Sequence, residues 1–175
     1  MIASLGLVRT FQGTTLFQEM TVIDNVLVGQ HLKARAGLFR TAFGSPREQD
    51  DIDRAMDILA FMGLESRAGE LAMNLSHGHQ RSLGIAIALA AEPKLLLLDE
   101  PFAGMNPEET RVLMKDLLKV RSTGVTLLLV EHDMHAVMGL CDNITVVSFG
   151  KLLAEGKPAD IRANKDVIEA YLGSA

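Results

Sequence analysis

The sequence predicts an α/β layered domain on a mostly parallel sheet, and three observations carry the prediction. Short apolar runs at 5–11, 95–98, 125–130 and 144–149 alternate with amphipathic helical stretches. Cap chemistry marks where helices begin, at Ser45-Pro46-Arg47-Glu48, at Ser76 and at Asn106-Pro107-Glu108-Glu109. The longest apolar run, Ile85 to Ala91, is far short of the roughly 18 residues a membrane span needs.

In chain order, Leu5 to Phe11 reads as a strand, and Thr21 caps a helix through Val22, Val26 and Leu27. Gly37 to Ser45 reads as a loop. Ser45 then caps a helix with proline at its first position, followed by the apolar set Ile52, Met56, Leu59, Phe61 and Met62 and ending at Gly63. Ser76 starts a helix that runs to Glu92-Pro93 and feeds the strand Leu95 to Leu98. Asn106 caps a helix to about Arg121, with acidic residues at its positive end. Val125 to Val130 and Ile144 to Phe149 read as further buried strands, with a helix from Asp133 to Cys141 between them. Gly150-Lys151 is a turn signal, followed by Leu152-Leu153-Ala154 and short helices ending near Leu172.

With 175 residues, 48% hydrophobic and 22% charged, the chain has the length and composition of one soluble globular domain. A net charge of −5 argues against a nucleic-acid surface, which normally displays a basic face. One cysteine, Cys141, allows no disulfide within the chain and fits a reducing compartment. No basic and apolar leader follows Met1. The nine methionines sit mostly at apolar helical positions and read as core fillers. The histidines lack metal-ligand spacing.

Four places carry candidate chemistry, and each has a plain structural reading beside it. Leu95-Leu96-Leu97-Leu98-Asp99-Glu100 is either a buried strand that stops at polar residues or a strand end that presents two carboxylates to the ligand crevice of an open α/β sheet. In the second reading one carboxylate holds Mg²⁺ and the other polarises a water, because adjacent strand residues point to opposite sides. Leu75-Ser76-His77-Gly78-His79-Gln80 is either a simple serine cap or an anion site, in which free backbone N–H groups and the helix dipole receive a phosphate and Gly78 allows close approach. Gln12 at a strand end and His132 after another strand could each be ordinary surface or satisfied residues. The phosphate cradle G-x-x-x-x-G-K-[ST] does not occur, since neither Gly150-Lys151-Leu152 nor Gly156-Lys157-Pro158 has the required neighbours.

Taken together, the order and spacing of the four resemble the ATP-binding subunits of ABC transporters. Gln12 sits at the Q-loop position, LSHGHQR resembles the signature motif, LLLLDEP the Walker B strand and VEHDM the switch-histidine strand. RTFQGTTLFQEMTVIDNVLVGQH, EPFAGMNPEET and ADIRANKDVIEAYLG are similar to the branched-chain amino acid importer subunits of the Liv-G type. The resemblance implies a P-loop NTPase-like fold over residues 1–175 that starts near the Q-loop and is N-terminally truncated. It divides the chain into a helical signature subdomain over about 20–92 and catalytic-core parts at 1–19 and 93–175.

The resemblance also implies roles. Gln12 senses Mg²⁺ and the γ-phosphate, and Asp99 holds Mg²⁺. Glu100 is the catalytic base or water-orienting carboxylate, and His132 contacts the γ-phosphate. Ser76 and Gly78 meet ATP carried by the opposite subunit, and Asn106 stands at the D-loop position usually held by aspartate. His79 departs likewise from the usual glutamine. The implied cofactors are ATP and Mg²⁺. The implied partners are membrane permease subunits, met through the loop Thr14 to Asn25, a second ATP-binding subunit in a homo- or heterodimer, and indirectly a substrate-binding protein. The implied place is the cytoplasmic face of a membrane, bound peripherally. A chain without the cradle is expected not to hydrolyse ATP alone, and its sheet to lack a central strand. Two alternatives stay open: a non-catalytic module that supplies Ser76 and Gly78 in trans, and the C-terminal lobe of a chromosome-maintenance or repair ATPase head.

Overall fold

A computed structural model describes residues 5–10, 16–34 and 46–172. They fall into two compact units that divide after Glu131.

The first unit contains β1 (Leu7–Arg9), α1 (Val22–Ala34), α2 (Pro46–Phe61), α3 (His77–Ala90), β2 (Leu95–Asp99), α4 (Pro107–Ser122) and β3 (Thr126–Val130). Its strands are all parallel in the order β1-β2-β3, with Leu7 opposite Leu95 and Leu95 opposite Thr126. The apolar run of β2 makes it the middle strand, with Leu96 and Leu98 fully buried. Before β1, Gly6 takes a φ of 86° so that its carbonyl accepts from the N–H groups of both Lys94 and Leu95, which sets the register of β1 on β2. Only Leu7–Arg9 of the expected strand at 5–11 forms strand, and Phe11 lies outside the described residues.

The helices follow their sequence signals. Asp24 N–H donates to Thr21 Oγ1 at the start of α1. Asn106 accepts from Glu108 N–H and Glu109 N–H, while Glu109 accepts from Asn106 N–H, a complete capping box on α4. Ser45 and the loop 37–45 lie outside the described residues, and α2 begins with Pro46. Val22 and Val26 of α1, Ala55 and Leu59 of α2, and Leu83 and Ala86 of α3 pack into one core with no exposed surface. Burying each of the larger side chains contributes about 1.5–3 kcal/mol. Helix α1 can lie this close to α3 because position 29 is glycine: a Cβ there would sit 2.4 Å from the Ile87 carbonyl oxygen.

The segment before α1 is fixed by Asn25, which is fully buried. Its Oδ1 accepts from Phe17 N–H at 2.9 Å, and its Nδ2 donates to the carbonyls of Phe17 and Thr21 at 3.0 and 2.9 Å. The same segment pairs with the stretch before α3, through Val22 N–H to Glu70 O and Ala72 N–H to Met20 O.

The second unit contains α5 (Met134–Leu140), β4 (Ile144–Ser148), β5 (Lys151–Gly156), α6 (Pro158–Ala163) and α7 (Lys165–Leu172). Strands β4 and β5 form an antiparallel hairpin. Phe149 and Gly150 both have positive φ, 48° and 75°, the requirement of a two-residue hairpin turn whose twist matches the strands. Ile144 and Val146 of the hairpin are buried, as are Ile161 of α6 and Val167 of α7, and both helices pack on β5.

Two strand expectations are corrected. Residues 125–130 and 144–149 do form strands, but neither is buried on both faces: burial alternates along β3 and along β4. Leu128 and Val130 are 50% and 52% exposed. An apolar run reports a strand's fitness for burial, not the presence of something to cover it. The parallel arrangement holds for β1 to β3 and gives way to antiparallel pairing in β4 and β5.

Candidate functional site

The carboxyl end of β2 is where the first unit gathers charge. Asp99 is its last residue, opposite Val130 of β3. The ladder continues one step past the strand, with Glu100 N–H donating to Val130 O at 2.9 Å. At Glu100 the backbone turns into the left-handed region with a φ of 45°, unusual for a residue with a side chain. Past that turn, Phe102 N–H donates to Glu131 Oε1 at 3.0 Å. The loop after β2 is thus tied to the end of β3 on both sides of the turn.

Asp99 Oδ2 accepts from Arg9 Nη2 at 2.8 Å, with the side chains 20% and 51% exposed. At that exposure the pair adds at most about 1 kcal/mol to stability, so its effect is to compensate the charge of Asp99 rather than to hold β1 in place. Asp99 also borders a cavity of about 20 Å³, lined by Thr10, Arg81, Gly84, Ile85, Leu98 and Pro101 besides. This is room for about one water. Arg81 Nε is buried without a hydrogen-bond partner among the described residues.

A second group forms where α3 begins. Ser76 is the N-cap, with backbone φ −60° and ψ 158°, and its Oγ accepts from His79 N–H at 3.3 Å. The same Oγ lies 3.0 Å from His79 Nδ1. Gly78 N–H donates to Glu109 Oε1 at 3.2 Å, so the first turn of α3 is joined to the capping box of α4. Next to it, Gly104 has a φ of 75° and lies where a Cβ would be 3.4 Å from His77 Cε1.

The first unit therefore brings together Ser76, Gly78 and Asn106 through Glu109, and places Asp99 and Glu100 side by side at the end of β2. Gln12 lies outside the described residues. His132 opens the second unit, exposed and just before Asp133, the N-cap of α5. Sequence reasoning missed Arg9 and the wider role of Glu109. Arg9 reaches Asp99 only because β1 and β2 are parallel in a register that puts Arg9 opposite Leu97. The capping-box spacing did announce Glu109 at the third helical position, though not its bond to Gly78.

Among the described residues no three His, Cys, Asp or Glu side chains converge as a metal site, and no helix is long and apolar enough to cross a membrane. A magnesium ion that arrives with a nucleotide is held by one or two carboxylates together with phosphates and waters. One strand-end carboxylate, Asp99, fits that donor set.

A strand-end acidic pair beside a capped, glycine-containing helix start is the arrangement of a nucleotide-handling α/β protein, and the comparisons agree. The family model described as ABC transporter matches residues 3–103, and that described as branched-chain amino acid ATP-binding cassette transporter matches residues 151–175. The chain belongs to the ATP-binding subunits of ABC transporters, a family of nucleotide-binding ATPases. It is 47% identical over 179 residues to the high-affinity branched-chain amino acid transport ATP-binding protein LivG of Salmonella typhimurium, covering 99% of this chain and 70% of that protein. A crystal structure of the ADP conformation of an ABC transporter ATP-binding cassette superposes with a TM-score of 0.81 at 28% identity, covering 99% of this chain and 70% of the other. A dimeric ATP-binding cassette in a post-hydrolysis state with ADP and Pi gives 0.69 at 26% identity, covering 87% and 62%. The α/β fold class expected from the sequence is that of these neighbours.

Proposed function

We propose that the chain is the ATP-hydrolysing subunit that energises import of branched-chain amino acids by an ABC transporter. The observation that carries this reading is the end of β2, where Asp99 closes the strand and Glu100 follows it in a left-handed backbone conformation. Two carboxylates on successive residues at a strand end can divide the labour of phosphoryl transfer, one toward a metal–phosphate group and one toward water. The likeness to LivG and the match over 151–175 favour an importer over a chromosome-maintenance head.

In this reading Glu100 is the catalytic base or water-orienting carboxylate for the attacking water, and His132 contacts the γ-phosphate. Asp99 and Gln12 would hold Mg²⁺, which when bound would offset phosphate charge. Ser76 and Gly78 meet the triphosphate of a second ATP-binding subunit, with Asn106 at the same junction. The dimeric relative supports such a pairing. Permease subunits are the further partners, met near the segment up to Asn25, and a substrate-binding protein acts through them. The chain then works at the cytoplasmic face of the membrane. We retain residues 20–92 as the helical signature part and 1–19 with 93–175 as the catalytic part.

Within its 175 residues the chain has no G-x-x-x-x-G-K-[ST] run. Charge on transferring phosphate is stabilised largely by such a lysine and its backbone N–H nest. A polypeptide of these residues alone should therefore leave ATP unhydrolysed.

The test is a Glu100→Gln substitution in the transporter assembled with its permeases in vesicles. Losing a general base costs about 10²-fold or more. ATP-driven leucine uptake should fall by about that factor while nucleotide binding persists. Uptake at the unmodified rate would refute the assignment.

A further inference from the structure

One carboxylate closes two helix starts. Glu109 Oε1 accepts from Gly78 N–H of α3 at 3.2 Å, and Glu109 Oε2 accepts from Asn106 N–H ahead of α4 at 3.1 Å. Asn106 Oδ1 returns the bond from Glu109 N–H at 3.0 Å. Each helix start carries roughly half a positive charge and N–H groups without partners inside the helix. Two such ends facing each other would repel and stay unpaired, and an anion between them removes both costs. The glycine at 78 is part of the fit, because a Cβ there would lie 3.0 Å from both Glu109 Cγ and Glu109 Oε1.

We propose that Glu109 is a positioning residue that fixes the Ser76–Gly78 turn to the Asn106 loop, so that the two present to the opposite subunit's nucleotide as one rigid edge. The proposal rests on the reading above, in which Ser76 and Gly78 meet that nucleotide. A carboxylate suits the task because it has two acceptor oxygens and needs both. Glutamine at 109 has one acceptor and an NH₂ group, which cannot receive a second backbone N–H. An aspartate is one methylene shorter.

Site-resolved amide hydrogen exchange on the full chain tests the bridge. In the unmodified chain the Gly78 and Asn106 amides should both be protected. Hydrogen bonds to a charged acceptor are strong enough that losing one speeds exchange about tenfold or more. Glu109→Gln should release one of the two amides by that factor and Glu109→Ala both, while the Leu59 and Leu83 amides of the core keep their rates. A Gly78 amide that exchanges freely in the unmodified chain overturns the bridge, and so does a Glu109→Ala chain in which Gly78 and Asn106 keep their rates. Acceleration of the core amides by the same factor overturns the local role as well.

The positioning consequence is read from ATP-dependent association with a second subunit that carries its own phosphate cradle. Glu109→Gln should raise the ATP concentration needed for half-maximal association about fivefold or more, with the thermal midpoint of the chain little changed; an unaltered ATP requirement overturns the positioning role. Ser76→Ala separates the two failures: if it leaves association intact, the trans-nucleotide reading falls, whereas the bridge is still judged by the exchange rates.

Discussion

Glu100 holds a left-handed backbone that costs about 1–2 kcal/mol for a residue with a Cβ. A glycine is at ease there, at the expense of about 0.4–1 kcal/mol of chain entropy. Glu100→Gly should therefore raise the stability of the chain by about 0.5 kcal/mol in urea denaturation while abolishing ATP-driven function in the assembled transporter. A loss of stability would mean that the interactions of the Glu100 side chain outweigh the backbone strain. Backbone strain kept at a strand-end carboxylate is a mark of a working position. Asn25 behaves in the opposite way, since it is fully buried and its polar atoms are spent on the segment before α1. Asn25→Ala leaves Phe17 N–H unpaired, while the Phe17 and Thr21 carbonyls keep the N–H groups of Met20 and of residue 25 itself, which should cost about 1–3 kcal/mol in the same experiment. Placement at this scale is legible: the sequence puts Asp99 and Glu100 at a strand end and Ser76 and Asn106 at helix starts, as the structure does, while their roles come from the family resemblance. Arg9 is not legible, because its partner is 90 residues away in sequence and only the parallel register joins them.

Among the elements, the contact of α1 with α3 turns on Gly29, whose missing Cβ lets the Ile87 carbonyl come close. In an isolated helix Gly29→Ala would gain about 1 kcal/mol in propensity. Here the methyl would meet backbone at 2.4 Å, and backbone cannot step aside as a flexible side chain can. Steric cost prevails, and the variant should lose about 1–3 kcal/mol by chemical denaturation. Helix starts were the elements best legible in advance, since Ser76, Asn106 and Asp133 all cap as their types and spacing suggest. The strands were less so. Val125–Val130 and Ile144–Phe149 are equally apolar runs, yet β3 joins a parallel sheet and β4 a hairpin. The difference lies in Phe149-Gly150, where the sequence announces a turn but not which strand returns from it.

For the whole molecule, the exposed side of β3 carries Leu128 and Val130, two large apolar groups half in solvent. An apolar strand face of this kind promotes self-association. Leu128→Lys should lower the sedimentation-derived self-association of the isolated chain without changing its helical content. In the function proposed above, these residues complete a nucleotide site together with a second subunit, through the Ser76–Gly78 turn that Glu109 joins to Asn106.

That idea is tested most directly by phosphate release. The purified 175-residue polypeptide, given ATP and magnesium, should release phosphate no faster than its Glu100→Gln variant. Release clearly above that variant would contradict the account, because it would show that these residues grip and cleave ATP unaided.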